Sequence, residues 1–357
     1  MKPKWLVGLA IVAVAAVGGA IYVANSDQGP ARRAEIGQRL FPEITDKGEQ
    51  IRTIVISRKD GTFRIARQDD QWVMPDKSKY PVSVDKVRRL LVGLAELRAL
   101  EAKTSSPANY PALEVENVDA PDAKSVQVAL QDGTGANLFS VIVGKSYYGR
   151  GAGTEGVYVR EAGEAQAWLA QGRVNVDRDP VAWLERAVVS VPRERVRSVT
   201  IKANGKPLTV NRAAAADKDF ALAGLPADRK AKTYEVNAVG GAFESLELDD
   251  VRPAAELNFS NSTPVTEAVT FDGLRVTASF AEQDGATWAR FAAKFEAPTD
   301  PVKAEGEGET KLKSADEVRK EADAINARVG GWAYKLPNYK VETLRRKFDD
   351  LLEQKAS

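Results

Sequence analysis

Carboxylates, Lys, Tyr, Ser and Thr are the side chains left for catalysis in this chain, because it contains no His and no Cys. That removes a Ser-His-Asp triad, a Cys nucleophile, ordinary zinc, copper and haem sites, iron–sulfur clusters and disulfides. Three acidic pairs remain, at Asp69-Asp70, Asp249-Asp250 and Asp349-Asp350. Each adjoins a turn or a polar helix face, so solvated surface is the expectation. Two carboxylates could serve a glycosidase, but only their separation in space would decide it. Ser78-Lys79 and Lys145-Ser146 place serine beside lysine. Adjacent residues of an extended segment point to opposite faces, so neither pair is poised for proton transfer. Asp177-Arg178-Asp179 has no continuation suited to a calcium loop, and Asp179-Pro180 reads as a helix start. Gly151 to Gly156 matches G-x-G-x-x-G, but a strand-like run, Val157 to Arg160, follows where a dinucleotide site needs a helix. Gly144-Lys145-Ser146 fails as a P-loop, because Phe139 stands where the first Gly must be. No catalytic, cofactor or metal residue is therefore expected.

The richest aromatic cluster is Trp332, Tyr334 and Tyr339. Exposed, it would make an interface anchor or a sugar platform. Buried, it would lock the last helix in place. Leu336-Pro337 among these residues and the apolar helix face after them favour burial. They stand as the candidate interface residues.

These groups need elements to hold them. The chain has 357 residues, 51 basic and 50 acidic, with 43% hydrophobic composition. The length suits about two domains. A net charge of +1 gives no global case for nucleic acid. The lack of Cys leaves the compartment open.

Trp5 to Ala24 is an apolar run without a charge, preceded by Lys2 and Lys4. As a helix it would span ~30 Å, the thickness of a hydrocarbon core. It is longer than a signal-peptide core and lacks a good cleavage site, so an uncleaved anchor is favoured. The basic residues next to it lie on its N-terminal side, which places the bulk of the chain outside the inner membrane.

After a linker and lead-in at 25–50, the pattern predicts an α+β fold. Two repeated units of antiparallel strands plus a helix, at 51–192 and 193–298, follow one N-terminal transmembrane helix. Ile51–Ile56 and Phe63–Arg67 read as a hairpin, Gln71–Val73 as a strand, and Val84–Lys103 as an amphipathic helix bearing Val87, Leu91 and Leu94. Trp168-Leu169 reads as a short helical segment. The plan restarts at Val196: Val196–Ile201 parallels Ile51–Ile56, and Leu208–Arg212 parallels Phe63–Arg67. Val236, Val239, Phe243 and Leu246 parallel the helix of the first unit, and Asp284-Gly285 stands in for Asp132-Gly133. Residues 299–357 form a polar loop and C-terminal helices packing on the second unit. Ser314 and Glu317 have capping-box spacing, Trp332–Tyr339 reads as a loop, and Val341–Glu353 as a final helix.

Several strings carry a family resemblance: Trp72 to Leu113, Val157 to Ala170, Trp183 to Arg186, and Gly331 to Leu344. As a set they resemble the domain of unknown function 4340 family, over most of the chain after residue 50. Glu114 departs from it, since this family usually has Gly after the Tyr-Pro-Ala-Leu string. The resemblance implies an envelope protein with one N-terminal membrane segment and a repeated extracytoplasmic domain. Similar proteins tend to be encoded beside ABC-type transport systems of the kind first described in gliding motility. It implies no activity and no catalytic residue.

The expectation is a non-enzymatic, membrane-anchored extracytoplasmic accessory protein. Its partners would be the inner membrane, through residues 5–24, and an ABC-type permease or another envelope protein. The alternative is a periplasmic carboxylate-based enzyme or glycan-binding module.

Overall fold

The computed structural model describes residues 36–149, 155–202, 207–260, 264–298 and 312–354. The expected anchor at 5–24, residues 151–154 of the glycine loop and residues 299–311 of the polar stretch lie outside them. No described helix is long and apolar enough to cross a membrane. The fold is mixed α+β and mostly antiparallel, and it divides into two compact units. The first holds the described residues up to Trp72 together with Val84–Arg178. The second holds Val73–Ser83 and the chain from Asp179 onward.

In the first unit, a short helix α1 (Glu43–Asp46) precedes β1 (Thr53–Arg58) and β2 (Gly61–Gln68). Ile54 pairs with Ile65 and Ile56 with Phe63, all four buried, so alternation sets the register. The chain then passes through β3 (Gln71–Met74) and β4 (Tyr80–Pro81) and returns as α2 (Val84–Glu96). Next come β5 (Arg98–Thr104), the short helix α3 (Tyr110–Leu113), β6 (Val126–Gln131), β7 (Asn137–Tyr148), β8 (Glu155–Glu161) and β9 (Ala167–Gln171). The sheet of this unit runs β2-β1-β6-β7-β8-β9-β5.

The second unit starts with the short helix α4 (Pro180–Trp183), where Val181 N–H donates to the Asp179 carboxylate at 2.9 Å. It continues through β10 (Ala187–Val189), β11 (Val196–Lys202), β12 (Leu208–Asn211), β13 (Ala221–Leu222) and α5 (Thr233–Gly240). Then follow β14 (Leu246–Glu247), β15 (Asp250–Pro253), β16 (Val265–Thr270), β17 (Leu274–Gln283) and β18 (Ala286–Phe295). The unit closes with α6 (Ala315–Val329), β19 (Trp332–Lys335) and α7 (Asn338–Leu344). Its sheet runs β13-β12-β11-β16-β17-β18-β19-β15. From β12 onward this is the strand order of the first unit.

The likeness extends beyond the sheets. Ala99 N–H donates to Gln38, and Leu40 N–H donates to Leu97, so a lead-in segment covers the start of β5. In the second unit the lead-in strand β10 pairs with β14. Ser83 N–H donates to Trp183 and Glu185 N–H to Pro81. Lys232 N–H donates to Leu351 and Glu353 N–H to Lys230, the same two-bond brace before each main helix. A clear difference is α6, which lies between β18 and β19, whereas a five-residue turn, Ala162–Gln166, joins β8 to β9.

Several sequence expectations are corrected. The helix expected over Val84–Lys103 ends at Glu96, and Arg98–Thr104 is strand β5. Its Ala, Leu, Glu and Lys residues favour helix locally, but pairing with β9 and burial of Leu97 and Ala99 decide otherwise. The buried stripe of α2 is Val87, Leu90 and Leu94, with Leu91 only half-buried. Trp168-Leu169 lies in β9, held by hydrogen-bonded neighbours on both sides. Trp332–Lys335 is strand β19 rather than loop. The final helix is broken into α7 and a 3₁₀ turn at Phe348–Leu351, which still buries Leu344, Phe348 and Leu351. Phe243 and Leu246 are buried beyond the end of α5. By strand order, the counterpart of the Asp132-Gly133 turn is Asp272-Gly273, not Asp284-Gly285.

Glu114 caps α3 in the left-handed region, at φ 58°. An L side chain is strained there, and Gly is not. Gly144 packs against the same turn, and a Cβ on it would lie 2.3 Å from the Leu113 carbonyl oxygen. Glu114→Gly is therefore expected to stabilise the first unit by up to about 1 kcal/mol, the relieved strain exceeding the added freedom of the unfolded chain. Gly144→Ala should destabilise it by roughly 1–3 kcal/mol. Urea unfolding followed by circular dichroism reads both, and a destabilising Glu114→Gly would contradict the strain argument.

Candidate functional site

Within the second unit, the segment Val73–Ser83 is embedded by its side chains. Met74, Tyr80 and Val82 are buried. The Tyr80 ring stands edge-on to Trp332 at 5.0 Å and to Tyr334 at 6.2 Å. Its hydroxyl donates to the Glu185 carbonyl at 3.2 Å, and Lys77 Nζ meets Asp250 Oδ1 at 2.6 Å. Burial raises the pKa of Tyr80. Burial, and then the neighbouring Tyr80, raise that of Tyr334 further. Two of the three candidate aromatics are thus spent on internal packing. Trp332 and Tyr334 are two apart on one strand and share a face. The third, Tyr339, lies on α7 and is 64% exposed. The trio is adjacent in sequence and divided in space.

A second cluster is ionic. Arg195 Nε donates to Asp272 Oδ2 at 2.9 Å, and its Nη2 donates to Glu321 Oε2 at 2.8 Å. Thr270 Oγ1 and Lys313 N–H also donate to Asp272, while Lys313 Nζ lies 3.0 Å from Glu321. Burial alone would raise both carboxyl pKa values. The hydrogen bonds from Arg195, with Thr270 and Lys313, outweigh it and hold Asp272 and Glu321 below the ordinary carboxylate range. Against the cost of burial, the same bonds hold Arg195 protonated more firmly than usual. This resembles neither an acid–base pair nor a nucleophile site, because a guanidinium lies between the carboxylates and, together with Lys313, balances their charge. Nearby, Arg212 donates to the carbonyls of Arg193, Glu194, Val196, Ala215 and Asp217 and stacks on Phe220. Burial lowers its pKa, and the carbonyls satisfy its donors.

An open cleft of about 470 Å³ lies along α7 and the turn after it. Val341, Glu342, Arg345, Arg346, Lys347 and Asp350 line it. Arg345 pairs with Glu282, and Arg346 with Glu235 on α5. Beside Glu235, Tyr234 is 82% exposed. Tyr234 on α5 and Tyr339 on α7 are thus both exposed.

The acidic pairs at Asp69-Asp70 and Asp349-Asp350 are exposed, and Asp250 is held by Lys77. Among the described residues no group of three or more His, Cys, Asp or Glu could hold a metal. Sequence reasoning missed Tyr80, Lys77 and the Arg195 cluster. Asp272-Gly273 was legible only as a turn, since the ion partner of Asp272, Arg195, lies 77 positions before it.

The fold and these clusters define a two-unit antiparallel α+β protein whose buried charges are committed to its own structure. A family model described as Domain of unknown function (DUF4340) matches residues 72–267, more than half of the chain, and the protein belongs to that family. Searches of curated proteins and of solved structures gave no match.

Two outcomes follow from the clusters. Arg195→Met leaves the buried Asp272 carboxylate without its cation, while Glu321 keeps Lys313, and should cost about 3–5 kcal/mol. Because Asp272 and Glu321 titrate below their unfolded values of about 3.9 and 4.3, their contribution is full above those values and is lost as pH falls through the depressed ones. Urea midpoints along an acid series should fall steeply for the wild type and shallowly for Arg195→Met. Tyr80→Phe should cost about 1 kcal/mol, the worth of the hydrogen bond from its hydroxyl to the Glu185 carbonyl, and Tyr80→Ala about 3–5 kcal/mol. Equal losses for the two would refute the packing role of the ring.

Proposed function

We propose that this is a non-enzymatic, membrane-anchored extracytoplasmic accessory protein that contacts an ABC-type transport complex or another envelope component. The observation that carries the reading is the run from Trp5 to Ala24, uncharged and of membrane-spanning length, with Lys2 and Lys4 before it. The anchor confines the folded part near membrane partners and raises its effective concentration there. The inner membrane holds the chain, with its bulk on the outer side.

The rest of the fold supports a binding role. The two units share one strand order. The far edge strands are blunted, β5 by Arg98, Glu101 and Lys103 and β15 by Pro253, so strand addition is disfavoured. That leaves the α7 surface, with Tyr339 and Tyr234, as the contact face.

Crosslinking in whole cells, detergent extraction and identification of what co-purifies test this reading. ABC permease or ATPase subunits should be recovered, and lost when residues 1–24 are replaced by a cleavable signal. Tyr234→Ala with Tyr339→Ala should reduce that recovery without lowering the unfolding midpoint. A folded, membrane-bound preparation that returns only itself would end the stable-partner reading.

A further inference from the structure

We propose that the segment Val73–Ser83 is a latch that makes the stability of the second unit depend on the folding of the first. The chain leaves the first unit after Trp72, contributes these eleven residues to the second, and returns at Val84. It leaves again after Arg178. The second unit is therefore built from two pieces of chain, with the 95 residues Val84–Arg178 of the first unit between them.

The two pieces meet through backbone as well as side chains. Val82 stands opposite Leu184 in an antiparallel bridge, Ser83 N–H donates to Trp183, and Glu185 N–H donates to Pro81. Lys77 holds Asp250, and Tyr80 sits against Trp332 and Tyr334. Ser78 and Lys79 have φ of 54° and 66°, two successive left-handed residues of which neither is glycine. Such a backbone is held by its surroundings and relaxes when released. The segment thus has a docked, strained state and a free, relaxed one.

The first unit biases the choice between them. It brings the two ends of its long piece together: Lys86 Nζ meets Asp177 Oδ2 at 2.7 Å, and a Cβ on Gly93 of α2 would lie 2.8 Å from the Arg173 carbonyl oxygen. While that fold stands, docking the segment closes no flexible loop. Once it is lost, docking must close a loop of 95 residues. Closure entropy grows as (3/2)RT ln n, which sets an upper limit of about a thousandfold on the docking equilibrium for such a loop. Linkage is reciprocal, so a docked segment stabilises the first unit by the same factor.

The chain has no Cys, so one introduced crosslink tests closure directly. Val82→Cys with Leu184→Cys joins the two pieces at the bridge, where directly opposed residues suit a disulfide. Ile54→Asp places an unpaired charge in the core of the first unit, and lost protection of the Val115 amide, which bonds Tyr110, confirms its unfolding. Val128→Asp is added where one charge does not suffice. Hydrogen exchange of the full chain in detergent micelles is then read at the Asp249 and Ala254 amides of the second unit. With the crosslink reduced, unfolding the first unit should speed their exchange by at least about tenfold. With the crosslink formed, the same substitution should change it by less than about twofold. Complete loss of protection in the reduced form alone is the same result at its limit. Unchanged exchange in the reduced form would overturn the latch, since the second unit would then be self-sufficient. Faster exchange that persists with the crosslink formed would overturn closure through this segment as the route.

Discussion

Arg195 is the group on which the second unit turns. It sits at the start of β11, and its guanidinium joins the β16–β17 turn, through Asp272, to α6, through Glu321. Three parts of the chain far apart in sequence meet at one buried cation. Its geometry leaves little choice, because a planar fork with two carboxylates fixes direction as well as distance. The interaction does not have to be strongly stabilising to matter. Removing one member leaves charge buried, and that asymmetry makes the arrangement specific. The helix α6 has its own start signal, the capping box of Ser314 and Glu317, and the ion cluster then fixes where its first turns lie.

The same strand order carries two different interiors. The outer face of β8 and β9 in the first unit is packed by Tyr110, Val115, Tyr158 and Leu169. The corresponding face of the second unit holds Trp288, Ala333 and Leu257. Identity of plan with divergence of side chains is expected when backbone pairing and register, rather than particular residues, define the unit. The segment Val73–Ser83 adds a further asymmetry. It contributes Tyr80 and Lys77 to the second unit, where Trp332, Tyr334 and Asp250 receive them.

The chemistry of the molecule follows from how its charges are used. Asp272 and Glu321 enclose Arg195, Arg212 is saturated by carbonyls, and Arg345 and Arg346 meet carboxylates. Of these groups, Asp272 and Glu321 are held below the ordinary carboxylate range by Arg195, which favours their charged forms. Among the described residues, Tyr234 on α5 and Tyr339 on α7 are exposed.

By itself the sequence determined the strands whose two faces differ and the turns whose residues dictate backbone shape. The β1–β2 hairpin, the β16–β17–β18 meander and the capped start of α6 were legible because alternation, Asp-Gly pairs and a Ser-x-x-Glu spacing act over a few residues. The restart of the plan near Val196 was legible for the same reason. Tertiary structure alone decided Arg98–Thr104 and Ala167–Gln171, where local preference pointed to helix and a neighbouring strand prevailed. It alone separated Tyr339 from Trp332 and Tyr334, and it alone brought Arg195 to its carboxylates. In each case the deciding interaction joins residues remote along the chain, and no local pattern encodes which remote partner will be met.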